Sequence, residues 1–170
     1  MNIKLFATSL LFTSLASAAG GSPKQIPLLG NALFPESLTR DGRTGAIYVS
    51  SNSDGSIQVV VNGQAKVFQA AGTDGRKEAL GVKIDEKNDR LWISGIDSLY
   101  GYQLKTNTLL VKIDLKSIVN VTKPTLNDLA IDSKGNVFVT ESINPLLLKV
   151  DGTTLKASVF RDLSQAIPEG

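Results

Sequence analysis

The 170-residue chain contains no cysteine and no histidine, and these two absences narrow its chemistry more than anything it contains. Without cysteine there is no disulfide framework and no thiolate metal site, so stability must come from packing, with a bound ion as a further source. Without histidine the Ser-His-Asp and Cys-His arrangements, the usual zinc sites and the commonest general base are all excluded. What remains for chemistry is carboxylates, amides, hydroxyls and hard cations. The chain also lacks a basic block. Its 18 Lys and Arg and 16 Asp and Glu are scattered along the sequence, which argues against a nucleic-acid partner. With 42% hydrophobic and 20% charged residues, its balance is that of an ordinary globular protein.

The first residues differ from the rest. Lys4 supplies a positive start, Leu5 to Leu15 is an apolar run, and Ala16-Ser17-Ala18 is a small-x-small pattern. The expectation is a signal peptide over 1–18 with cleavage after Ala18, a lead-in over 19–33, and a secreted or periplasmic product with no membrane segment after cleavage. A membrane anchor is disfavoured because the run is shorter than the ~20 residues a bilayer needs and stops at Gly20-Gly-Ser-Pro23.

Beyond the lead-in the sequence reads as all-β. Short β-branched or aromatic runs, such as Ala46-Ile-Tyr-Val-Ser50, Ile57-Gln-Val-Val-Val61 and Leu91-Trp-Ile-Ser94, are bounded by Gly, Asn or Asp. The segment from Asp114 to Val121 is expected to form no more than a turn or two of helix. A repeat organises these runs. Glu36-Ser-Leu-Thr-Arg-Asp41 precedes Ile47-Tyr-Val49, Leu80-Gly-Val-Lys-Ile-Asp85 precedes Leu91-Trp-Ile93, and Asn127-Asp-Leu-Ala-Ile-Asp132 precedes Val137-Phe-Val139. The spacing of the three aspartates, 44 and then 47 residues, fits one four-stranded propeller blade of about 40 to 50 residues. Third strands are expected at Ser56 to Val61, Ser98 to Leu104 and Leu146 to Val150, and fourth strands at Ala65 to Ala70, Leu109 to Leu115 and Ala157 to Arg161. This places a partial β-propeller over 34–170, with blades near 34–72, 78–116 and 125–162. Asp41, Asp85 and Asp132 are expected to cap their own turns. Since propellers close with four to eight blades, three predict a fragment or a unit that pairs with another half through its open edges.

Five residues before each repeat aspartate stand Glu36, Leu80 and Asn127, at the start of each innermost strand and therefore beside the central channel. Two of the three are oxygen donors of the kind Ca²⁺ takes, and a ring of blades delivers such donors convergently. They are equally readable as turn or capping residues. Trp92 is assigned to the core between blades. Arg76 and Lys77 are placed on a solvated loop, with a substrate carboxylate at the channel mouth as the alternative. Asn120-Val-Thr122 is a glycosylation sequon, and Gly72-Thr-Asp-Gly75 a plain turn rather than a phosphate loop.

Phe34-Pro-Glu-Ser37 with Tyr48-Val-Ser50 and Asp54-Gly-Ser-Ile57, the stretch Gly75 to Asp85 with Leu91-Trp-Ile93, and Leu126-Asn-Asp-Leu-Ala-Ile-Asp132 with Gly135 to Thr140 resemble successive blades of the senescence-marker-protein/gluconolactonase/LRE-like propellers, related to the NHL-repeat propellers. The resemblance covers Phe34 to about Gly152 and implies the N-terminal half of a six-bladed ring. It further implies a calcium-dependent lactonase or esterase acting on a small lactone or ester, with Glu36 and Asn127 as metal ligands and Asp128 in the shell behind them. The family's general base and its later Asn and Asp ligands have no counterpart among these 170 residues, so the chain alone is expected to be inactive. The alternative is a non-catalytic propeller that binds protein or glycan.

Overall fold

The structure, a computed structural model, describes residues 25–30 and 34–164. The signal peptide expected over 1–18 lies outside the described residues. Twelve strands form three four-stranded antiparallel sheets, each a simple meander in chain order. The first blade comprises β1 (Pro35–Arg40), β2 (Ile47–Ser51), β3 (Ile57–Val61) and β4 (Gln64–Gln69). The second comprises β5 (Val82–Asp85), β6 (Arg90–Ser94), β7 (Ser98–Gln103) and β8 (Thr108–Asp114). The third comprises β9 (Leu126–Ile131), β10 (Val137–Glu141), β11 (Leu146–Val150) and β12 (Ala157–Asp162). Leu115–Ser117 makes one 3-10 turn, started by Asp114, whose side chain accepts from Lys116 N. The three sheets are blades of a β-propeller: strand β5 lies against both β1 and β9, so the first strands line one axis.

In each blade the aspartate turn read from the repeat joins the first strand to the second. Asp41 accepts from Arg43 N at 2.9 Å, and Asp132 from Lys134 N and Asn136 N, both at 2.9 Å. Asp85 accepts from Asn88 N at 3.1 Å and Asn88 Nδ2 at 2.7 Å. The carboxylate satisfies donors that a tight turn leaves without strand partners, which is why this residue type recurs there. The turns also reach forward: Arg43 pairs with Asp89 at 2.9 Å, Gly42 N donates to Glu86 Oε1 at 2.5 Å, and Lys87 Nζ to Ser133 O at 3.2 Å.

Two apolar clusters hold the stack. Tyr48 and Ile57 of the first blade pack with Val82, Leu91, Ile93, Tyr100 and Tyr102 of the second. Trp92 and Leu99 of the second pack with Leu129, Val137, Val139, Leu148 and Val150 of the third. Trp92 is fully buried between blades, as its place in the repeat implies. Its neighbour across the sheet is Gly101, where a Cβ would stand 2.8 Å from Cζ3 of the indole, so the missing side chain makes the room. A second strand packed between two blades is buried on both faces. This holds for β6, whereas Phe138 of β10 is half-buried and Thr140 is exposed, because among the described residues no blade covers that side of the third sheet.

One assignment is overturned. Arg76 does not lie on a solvated loop; it is 1% exposed, wedged between the first and second blades. Its Nε donates to Gly55 O at 2.8 Å, Nη2 to Gln69 Oε1 at 2.7 Å and Nη1 to Tyr102 Oη at 3.0 Å. The guanidinium also lies 5.4 Å from the Tyr100 ring centroid. Burial lowers its pKa and raises that of Tyr102, whose hydroxyl donates to Asp74 Oδ2 at 2.8 Å. A planar cation with five donors can serve three acceptors from different segments at once, which a lysine cannot.

Arg76→Met is expected to lower unfolding stability by about 3 kcal/mol, because it leaves Gly55 O and Gln69 buried without their charged donor. Arg76→Lys should recover only part of that loss in chemical denaturation. The turns generate a pH prediction. Hydrogen bonds from the Arg43 side chain hold Asp41 below the usual carboxylate range, and one from the Asn136 side chain does the same for Asp132. Their native pKa values are depressed, so their stabilisation is complete above the unfolded-state value near ~4 and is lost as pH falls through the native one. Thermal midpoints should therefore fall steeply below about pH 4 and less steeply in Asp41→Asn.

Candidate functional site

Glu36, Ser37, Leu80, Gly81, Asn127 and Asp128 line one depression of about 190 Å³. Glu36 and Asn127 are the second residues of β1 and β9, and Leu80 and Gly81 lead directly into β5, so all three blades contribute equivalent repeat positions. The two oxygen donors picked from the repeat, Glu36 and Asn127, thus share one concavity, and Asp128 shares it with them.

The backbone is irregular here by design of the sheet. Pairing of β1 with β2 shifts register between Pro35 and Leu38, and pairing of β9 with β10 shifts between Val139 and Glu141. Such irregularities re-aim side chains near the end of a strand. The start of β9 is fixed by Glu141, a 7% exposed carboxylate that accepts from Thr125 N at 2.5 Å, from Ile143 N at 2.9 Å and from Asn144 N. Thr125 O in turn accepts from Ser142 N at 2.8 Å. Asn127 then donates its Nδ2 to Ser142 Oγ at 3.0 Å, which leaves Oδ1 as the amide atom available to a ligand. Asp128 forms an ion pair with Lys83 at 3.5 Å.

The blades are stapled together at the same depth. Ser50 Oγ, at the end of β2, accepts from Ser37 N at 3.0 Å and lies 3.0 Å from Leu80 O of the next blade. Ser94 Oγ, at the end of β6, accepts from Gly81 N at 2.7 Å and donates to Asn127 O of the next blade. The acceptor carbonyls, of Leu80 and Asn127, are repeat equivalents. Sequence reasoning missed Ser50, Ser94, Ser142 and Lys83. A signal was present for the first two: Ser50, Ser94 and Thr140 put a hydroxyl at the same place, just after each aromatic-aliphatic pair Tyr48-Val49, Trp92-Ile93 and Phe138-Val139.

Carboxylate and amide oxygens suit a hard cation such as Ca²⁺, which takes six to eight of them. The donor chemistry of Glu36 and Asn127 fits that ion. Their number does not fill its shell, even with Asp128, and among the described residues no group of three or more acidic side chains is gathered for a metal.

No family model and no curated protein matches the sequence. Solved structures do match in fold. A catalytically inactive variant of virginiamycin B lyase from Staphylococcus aureus, crystallised with quinupristin, superposes with a TM-score of 0.64 at 11% identity, over 81% of this chain and 44% of the lyase. Hydrazine synthase from Kuenenia stuttgartiensis gives 0.59 at 16% identity, over 78% of this chain and 36% of that one. The WD40 repeats of RRP9 give 0.58 at 10% identity, over 73% and 36%. The chain spans less than half the length of each of these three structures, and at such identities the likeness is one of fold.

Ser94→Ala removes the hydroxyl that serves Gly81 N and Asn127 O, and is expected to cost about 2 kcal/mol in denaturant unfolding. By amide hydrogen exchange the loss should be largest at the starts of β5 and β9. Sheet topology and fold likeness together show the architecture: the chain contains three successive blades of a β-propeller.

Proposed function

We propose that the chain is part of an exported metal-dependent hydrolase of the gluconolactonase type, acting on a small lactone or ester, with Glu36 and Asn127 holding a divalent cation, Ca²⁺ by donor chemistry. The observation that carries this reading is the shared depression. Two oxygen donors remote in sequence are brought to one axial concavity by equivalent strands. When bound, the ion would supply Lewis-acid polarisation of the substrate carbonyl. The chain's own contribution is positional: Ser142 orients the Asn127 amide, Ser94 holds the Asn127 backbone, and Lys83 moderates the charge of Asp128. The resemblance puts the base that activates water outside these residues, so the chain by itself is not expected to hydrolyse the substrate.

The shortage of donors favours a second reading, a propeller that binds protein or glycan without catalysis. One experiment separates them. Calorimetric titration of the chain from Ala19 with Ca²⁺ should show binding that Glu36→Gln and Asn127→Ala each weaken at least tenfold. Heat that is absent, or unchanged by both substitutions, would favour the binding module.

A further inference from the structure

The two faces that end the stack are not alike, and each can be compared with an internal junction of the same protein. On the first blade, Tyr48 and Phe68 make an edge-to-face pair with centroids 5.0 Å apart, covered by the second blade. On the third blade, Phe138 and Phe160 stand at the same register positions, Phe160 at the β-bulge of β12 as Phe68 is at that of β4, and they make the same pair at 5.1 Å. Here the pair is uncovered, and Phe160 is 45% exposed. The hydroxyl staple repeats as well. Ser50 and Ser94 each reach a backbone carbonyl of the following blade, whereas among the described residues Thr140 Oγ1 reaches only Asp128 O of its own blade, at 3.2 Å. The outer side of the third sheet therefore carries the aromatic pair and the hydroxyl with which the first blade receives the second.

At the other end, Leu38 occupies the place of Val82 and Leu129. These are 0% and 3% exposed in their junctions, but Leu38 is 63% exposed, and Val67, in the same cross-strand row at the far edge of the sheet, is 55% exposed. The carbonyl of Glu36 holds the position of the acceptor carbonyls of Leu80 and Asn127. One end thus presents the donor half of a blade junction and the other the acceptor half. We propose that two copies of this chain close into a six-bladed ring, the third blade of each receiving the first blade of its partner. The Thr140 hydroxyl would then bond to the partner's Glu36 carbonyl in two identical junctions. Such a ring would bring two copies each of Glu36, Asn127 and Asp128 to one axis, which supplies the donors that a single copy lacks. The closure rests on the propeller reading, not on lactone chemistry.

Two features oppose closure and make it adjustable. Gln58, 4% exposed on the outer side of the first blade, holds the lead-in backbone: Leu29 N donates to its Oε1 at 2.8 Å and its Nε2 donates to Leu29 O at 2.7 Å. This segment covers part of the face the partner needs. Lys149, where Val59 and Gly101 stand in the other blades, lies 6.0 Å over the Phe138 ring.

The test is the mass of the chain from Ala19, by light scattering and sedimentation across a concentration series. The expected result is a monomer-dimer equilibrium that Gln58→Ala shifts towards dimer. Thr140→Val should weaken association by roughly thirtyfold, since each of two junctions loses a hydrogen bond. Phe160→Lys, checked for folding by circular dichroism, should abolish it. A single-copy mass for both the parent chain and Gln58→Ala at the highest soluble concentration would overturn the proposal and assign the open face to a blade from elsewhere. A dimer indifferent to Thr140→Val and Phe160→Lys would overturn it too. A dimer that ignores Ca²⁺ would sink the metal reading and leave closure standing; a monomer that binds Ca²⁺ would do the reverse.

Discussion

A four-stranded blade has two apolar faces and cannot bury either by itself, and everything else in this structure follows from that constraint. Each core residue is buried by the neighbouring sheet rather than by its own: Tyr48 and Ile57 by the second blade, Trp92 and Leu99 by the third. Burial of a large apolar side chain contributes about 1.5–3 kcal/mol. Two such clusters therefore suffice to bind three blades, but no single blade contains a core of its own. The protein is accordingly held together through its junctions, and the residues that matter most for stability are those with neighbours in two blades.

Apolar stacking does not define the angle between sheets, and the polar groups at the junctions do. Arg76 ties Gly55 and Gln69 of the first blade to Tyr102 of the second from a buried position, and Ser50 and Ser94 fix the inner ends by reaching across to the next backbone. The aspartate turns with Arg43 and Lys87 fix the opposite ends. A buried cation that lost these acceptors would carry a large desolvation penalty, so the network tolerates one arrangement of the sheets and penalises others. Directional bonds at both ends of an apolar stack turn a sticky surface into a defined rotation.

The repeat made much of this legible. Strands, blade limits and turn aspartates could be read because the same local chemistry recurs at a spacing of 44 and 47 residues, and a turn aspartate finds its donors within four residues of itself. That Glu36 and Asn127 face one concavity could be read for the same reason, since equivalent positions of successive blades border one axis. Arg76 was misread because its partners lie 7, 21 and 26 residues away and nothing local distinguishes a buried arginine from a solvated one. The hold of Gln58 on Leu29, across 29 residues, was invisible for the same reason. Lys83 was missed because its meaning comes from Asp128 in the next blade.

The depression is itself a product of the junctions. Its lining comes from three strands that share no hydrogen-bonded ladder, and the distance between Glu36 and Asn127 is set by how the first blade sits on the second and the second on the third. The Ser94 hydroxyl touches the backbone of Asn127 itself, so the bond that defines a blade junction also places a candidate ligand. Stability and site geometry therefore cannot be separated here. A change that loosens the stack moves the donors apart even where it touches none of them.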